Sequence, residues 1–199
     1  MKDATPAVPA SSLPVPDLAA LLGSRLCHDL VSPLGAIGNG VELLAMVAPI
    51  SPELDLVAQA VASAQARLRL FRLAFGAAST DQSVRATDLL DALSALESNG
   101  RVTLRSRIDA PLPRLQARRL ALAVLCAESA LAWGGTIDVS ARGIDARAPR
   151  LRLEADLWAA IAAGTVPTGV EPGTVHFALL ANTGPVGVRI ADDGVTLTL

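Results

Sequence analysis

The chain has no tyrosine, and only two tryptophans and three phenylalanines among its 199 residues. Recognition of nucleic acid by stacking bases on aromatic rings is therefore poorly supported. A formal net charge of −2 supplies no global field to attract an anionic polymer or membrane. Cysteine is scarce as well: Cys27 and Cys126 show no metal-ligand spacing, allow at most one disulfide, and as free thiols suit a reducing cytoplasm. Cys27 and His28 would point about 100° apart on a helix and so do not form a chelating pair. The N-terminal segment has Lys2 as its sole basic residue, four prolines by Pro16 and no continuous apolar core, which is not a signal peptide. No stretch approaches an uninterrupted span of about 20 apolar residues. The run Gly35-Ala36-Ile37-Gly38-Asn39-Gly40 lacks the Gly-Lys-Ser/Thr ending of a phosphate loop, and no Gly-x-Ser-x-Gly elbow occurs, so a nucleotide loop and a Ser-His-Asp hydrolase both lack their motifs. These absences point to a cytoplasmic protein with no nucleic-acid partner, no membrane and no metal site of its own, acting on another protein or a small anion.

What is present is apolar sequence, 51% of the chain, arranged periodically. On a helix from about Leu18 to Val47, Leu22, Leu26, Leu30, Leu34, Ile37, Val41 and Leu44 fall within about 120° of one another, the pattern of a helix burying one stripe. His28 lies roughly opposite, on an outward face shared with Ser24, Ser32, Gly35, Asn39 and Glu42. Pro33, five residues later, lacks an N–H and crowds the preceding turn, which should bend the helix beside the imidazole. A proline there costs about 3 kcal/mol, a loss that a function at this position would compensate.

The segments Arg25-Leu26-Cys27-His28-Asp29, Ser32-Pro33-Leu34-Gly35-Ala36-Ile37 and Gly40-Val41-Glu42-Leu43-Leu44 resemble the ChpT family of histidine phosphotransferases of alphaproteobacteria. Phe71-Arg72-Leu73-Ala74-Phe75-Gly76 is similar to the end of that family's second helix. A histidine followed by an acidic residue, with proline five positions on, also marks the phosphoacceptor helix of sensor histidine kinases.

Along the chain, residues 1–16 read as a disordered arm. Residues 17–78 read as a helical hairpin, with Asp17 capping the first helix, a turn at Pro49-Ile50-Ser51-Pro52, and a second helix over about 52–75. That helix carries Leu54, Val57, Val61, Ala64, Leu68, Phe71 and Phe75 at heptad spacing, with Leu56, Leu70 and Leu73 beyond the seam. Its apolar surface exceeds what one hairpin covers: either two hairpins pair as a four-helix bundle in a homodimer, or the second domain folds over this face. Residues 79–199 alternate strand and helix. Thr87 caps a helix to about Ser98, Asn99-Gly100 turns into a strand over 102–108, and a long apolar helix spans 118–133. Strands follow over 136–141 and 144–148, helices over 155–163 and 174–181, and a hairpin joins 186–190 to 195–199 around Asp192-Asp193-Gly194. The fold class is α+β, a helical hairpin followed by an α/β sandwich. The resemblance implies that this second domain is a degenerate histidine-kinase ATP-binding domain. Val124-Leu125-Cys126-Ala127-Glu128-Ser129-Ala130-Leu131 offers no magnesium-binding asparagine, and Glu154-Ala155-Asp156-Leu157-Trp158 stands where an Asp-x-Gly-x-Gly loop would, so no nucleotide binding is expected.

The resemblance implies that His28 accepts a phosphoryl group through a ring nitrogen, Nε2 in this reading, and relays it between receiver-domain aspartates. The donor would be the receiver of a hybrid histidine kinase, the acceptors response regulators controlling the cell cycle, and the Mg needed would belong to the partner receiver domain. Arg25, one turn before His28, together with Asp29, Ser24 and Ser32, would orient the imidazole or dock the partner. Arg142, Arg147, Arg150 and Arg152 are either a solvated edge or an arginine patch for an acidic receiver, with Arg150 and Arg152 the docking candidates. His176 reads as an incidental helix residue. An autophosphorylating sensor-type kinase and a non-catalytic adaptor that regulates a kinase remain alternatives.

Overall fold

The computed structural model describes residues 17–47, 51–98 and 100–199. The expected arm over 1–16, the Pro49-Ile50 part of the first turn and Asn99 lie outside the described residues. Helix α1 spans Leu18–Val47 and runs continuously through Pro33. Its first turn is capped by Asp17, whose Oδ1 accepts the Ala20 N–H at 3.0 Å. Helix α2, Pro52–Phe75, begins as the sequence dictates: Ser51 Oγ accepts the Leu54 N–H at 3.1 Å, and Pro52 occupies a position with no helical N–H to satisfy.

The two helices form an antiparallel hairpin, but the face of α1 that meets α2 differs from the leucine stripe. Ala20, Cys27 and Val41 are buried, with Gly23, Ser24, Leu34 and Gly38 half-buried between them, whereas Leu22, Leu26, Leu30, Ile37 and Leu44 are exposed. Small residues explain the choice. A Cβ at Gly23 would lie 2.8 Å from the Phe75 carbonyl oxygen, and one at Gly38 would lie 2.6 Å from Gln65 Nε2, so the backbones approach where side chains are missing. Gln65 uses that proximity to donate to the Leu34 carbonyl at 3.1 Å. Helix α1 is also long and apolar enough to cross a membrane by length and composition, with a mean hydropathy of 1.5 over its most apolar stretch.

After α2 come strand β1 (Ser83–Val84), helix α3 (Ala86–Leu93) with a short 3₁₀ extension, strands β2 (Val102–Ser106) and β3 (Leu112–Pro113), helix α4 (Arg114–Ala130), strands β4 (Gly135–Ser140) and β5 (Gly143–Arg147), helices α5 (Ala155–Ala163) and α6 (Val175–Ala181), and the hairpin β6 (Gly187–Ala191) and β7 (Gly194–Thr198). The sheet order is β2-β4-β5-β7-β6, with β2 parallel to β4 and every other pair antiparallel. The β2-to-β4 crossover is supplied by α4, as a parallel pair requires. One sheet face packs on the helices through Val102, Ile137, Val139, Ile144, Ala146, Val195 and Leu197, while Asp138, Asp145 and Thr196 line up on the other, wetter face. Helix α4 buries an unbroken run from Leu120 to Ala127 at the centre of the core.

The elements differ from the sequence reading at further points, and the long apolar helix begins at Arg114 rather than 118 and ends at Ala130 rather than 133. The third helix is capped at Arg85 rather than Thr87, with Thr87 inside its first turn. A second, two-stranded sheet pairs β1 with β3, too short to show alternation in sequence.

Candidate functional site

His28 stands on α1 with its side chain 83% exposed. Its Nδ1 lies 3.3 Å from Asp29 Oδ1, and Arg25 Nε lies 2.9 Å from Asp29 Oδ2. A regular helix points Asp29 about 100° from His28, but the carboxylate swings toward its neighbour and is held there by arginine from the preceding turn. A carboxylate only accepts, so the shared proton belongs to Nδ1, and Nε2 carries the free lone pair. Pro33 contributes differently: without its N–H, the Asp29 carbonyl has no helical donor, which leaves an acceptor open beside the imidazole.

Next to His28 lies a cleft of about 680 Å³ where the hairpin meets the second domain, lined by Ser24, Ser32, Arg69, Arg72, Asp88 and Arg114 among others. Its far wall is held firmly to the hairpin. Arg114 donates to the carbonyls of Leu73 at 2.8 Å and Arg72 at 3.0 Å, and Arg118 Nε donates to the Ala74 carbonyl at 3.2 Å. These guanidinium groups satisfy the last carbonyls of α2, where cations are favoured. Burial, and then the neighbouring charges of Arg118 and Arg72, pull the Arg114 pKa below its ordinary value. Arg67 completes the attachment with a two-pronged pair to Glu128, both contacts 2.9 Å.

Of the residues singled out from sequence, Arg25, His28 and Asp29 form one chain of contacts, and Ser32 is exposed at the cleft. Ser24 is half-buried and serves the fold, since its Oγ accepts the Ala77 N–H at 2.8 Å and ties α1 to the segment after α2. Arg150 and Arg152 do not line this cleft. Arg150 stacks 3.8 Å over the Trp133 ring, and Arg152 lines a separate cleft with Glu154 and Trp158, its guanidinium 3.5 Å from Glu154. Arg69, Arg72 and Arg114 are site residues that the sequence did not single out. The signal for two of them was positional: Arg69 and Arg72 are three apart on one face of α2, and an antiparallel hairpin brings its end back to the level of His28.

Cys27, next to the histidine but turned inward, has its thiol pKa pushed up by burial, an effect the Arg72 charge partly opposes. Among the described residues no group of three or more His, Cys, Asp or Glu side chains could hold a metal ion.

Three comparisons bear on this geometry. A family model described as the histidine phosphotransferase C-terminal domain matches residues 86–185. The protein phosphotransferase ChpT of Brucella abortus (strain 2308) is 49% identical over 71 residues, covering 34% of this chain and 34% of that protein, so the match spans about a third of the curated relative. A bacterial phosphotransferase solved at 1.7 Å superposes with a TM-score of 0.61 at 25% identity, covering 94% of this chain and 99% of the other. The family match takes in half of the sequence, from α3 through α6, and the chain belongs to the histidine phosphotransferase family that this C-terminal domain defines.

Proposed function

We propose that the chain is a phosphotransferase that carries a phosphoryl group on His28 Nε2 between the aspartates of two receiver domains, without using ATP. One observation carries the reading: an exposed imidazole whose Nδ1 is held by Asp29, itself held by Arg25, with Nε2 left free. In the forward step the Nε2 lone pair attacks the phosphorus of an aspartyl phosphate, the P–O bond breaks, and its electron pair leaves with the receiver's carboxylate. The ring keeps its Nδ1 proton and becomes positively charged, and the Asp29 carboxylate beside it balances that charge. The second receiver's carboxylate then attacks the phosphorus, the N–P bond breaks, and neutral His28 returns. Positioning dominates such a transfer, and the Mg that neutralises phosphoryl oxygens belongs in this reading to the receiver.

The acting species is a homodimer. Leu18, Leu22, Leu26, Leu30, Ile37 and Leu44 leave an apolar stripe along α1, continued on α2 by Leu56 and Val57, all exposed on one protomer. A second hairpin would cover it as a four-helix bundle. This use also accounts for the apolar character of α1 without a membrane: Arg25, His28 and Asp29 would be costly in lipid but are at home on the outside of a bundle. The donor is the receiver of a hybrid histidine kinase and the acceptors are response regulators controlling the cell cycle, all in the cytoplasm. Arg150 and Arg152 would serve as a secondary docking patch.

The test is incubation with a phosphorylated receiver. Wild-type protein is expected to acquire acid-labile label and His28→Ala none. Unlabelled wild-type protein overturns the relay, labelling from ATP alone would favour a kinase, and retained regulatory function in His28→Ala would favour an adaptor.

A further inference from the structure

Most arginines near the hairpin are engaged: Arg25 with Asp29, Arg67 with Glu128, Arg85 with Asp88, and Arg114 with two carbonyls. Arg69 and Arg72 are not. Both are exposed, both line the cleft beside His28, and among the described residues neither side chain makes a hydrogen bond or ion pair.

The hairpin register shows where they stand. Ser24 Oγ lies opposite Gly76 and Ala77, and the Leu34 carbonyl lies opposite Gln65. Interpolating along antiparallel helices, Arg72 comes level with His28, and Arg69, nearly one turn back along α2, comes level with Val31 and Ser32. The Arg72 charge is felt at the Cys27 thiol on α1 and at Asp88 on α3, so it spans the floor of the cleft. Two guanidinium groups without an ion pair stand beside the nucleophile, and of the carboxylates lining the same cleft, Asp88 and Asp91, the first is already paired with Arg85, so Arg69 and Arg72 form an anion-binding surface.

We propose that Arg72, assisted by Arg69, binds the phosphoryl oxygens of phospho-His28 and holds the group for in-line transfer. The proposal rests on the reading that His28 is phosphorylated. The arginines form no covalent bond and exchange no proton. They present N–H donors to a group whose charge grows on its oxygens during transfer, a role that suits a planar fork. Arg72 is the principal donor because it is level with His28, and the carbonyls that Arg114 anchors keep its stretch of α2 in place.

The experiment follows label from a phosphorylated receiver onto full-length protein, varying receiver concentration, for wild type, Arg72→Ala, Arg72→Lys and the Arg69→Ala/Arg72→Ala double variant. Arg72→Ala is expected to lower the maximal transfer rate about tenfold, a modest share of the 10²–10³ lost when a preorganised donor is removed from an enclosed site. The half-saturating receiver concentration should stay unchanged, Arg72→Lys should recover part of the rate, and the double variant should be slower than Arg72→Ala. Thermal unfolding of each variant should stay close to wild type, since among the described residues these side chains make no hydrogen bond or ion pair. Labelling of Arg72→Ala at the wild-type rate, or a loss confined to the half-saturating concentration, overturns the proposal while leaving the relay intact. Failure of wild-type protein to take up label removes the relay itself.

Discussion

Two apolar helices of this protein have opposite fates. Helix α4 buries every residue from Leu120 to Ala127 and forms the centre of a closed core, whereas α1, longer and also apolar, buries only Ala20, Cys27 and Val41. The second domain buries its hydrophobic surface within itself and against Leu70, Leu73 and Ala74 of α2. Helix α1 does not, and most of its leucines remain exposed. Hydrophobic sequence therefore means closed packing in the second domain, whereas on α1 it forms the surface that the proposed homodimer would cover.

Mutation should separate the two. Leu120 is fully buried, and Leu120→Ala is expected to cost about 3 kcal/mol of unfolding free energy at every protein concentration, measured by denaturant titration. Leu26, 54% exposed on one protomer, should behave differently: Leu26→Glu is expected to leave the unfolding of the second domain unchanged and to weaken self-association by at least about tenfold, since a charge would be desolvated at a bundle seam. Sedimentation that gives the same mass distribution for both proteins would show that the stripe is not the dimer contact.

The second domain also carries its own response to acid. His176 on α6 lies with Nε2 3.0 Å from Ser129 Oγ on α4, and burial lowers its pKa from 6.5 to about 4. Unfolded chains bind the proton near pH 6.5 and the folded protein does so only near pH 4, so the unfolded state holds more protons between these values. Stability contributed by the neutral ring is complete above pH 6.5 and is lost progressively as pH falls to about 4. Allowing for partial exposure, the loss should reach about 2 kcal/mol. His176→Gln should flatten unfolding free energy over that window.

The same contrast explains what could be read from sequence. Where spacing and turn residues agree, as in the β6–β7 hairpin or at Ser51-Pro52, which marks the start of α2, the sequence locates the elements closely. Helix α1 carries two patterns. Hydropathy favours the leucines, but the hairpin closes on the smaller residues Ala20, Gly23, Cys27 and Gly38, because close backbone approach needs missing side chains rather than large ones. The histidine was legible because it and its neighbours are local in sequence. The arginine wall was not, since Arg69, Arg72 and Arg114 meet His28 only once α2 has turned back and α4 has capped its end.

The smallest expected effect distinguishes attachment from docking at the border of the two regions. Ser24 shares the histidine's helix and lines the same cleft, which suits a residue that touches a partner, but its hydroxyl already accepts the Ala77 N–H. If that bond is its main role, Ser24→Ala should cost about 0.5–1 kcal/mol, the usual net value of an exposed or part-exposed hydrogen bond. Transfer from a phosphorylated receiver should proceed with an unchanged half-saturating concentration, because no partner contact has been removed. Ser24→Thr, which keeps the hydroxyl, should recover stability to the extent that the added methyl fits beside Gly76, where a Cβ would lie 3.3 Å from Ser24 Oγ. A rise in the half-saturating concentration with stability intact would instead assign Ser24 to the surface that receives the partner, and would extend the functional face of α1 a full turn before His28.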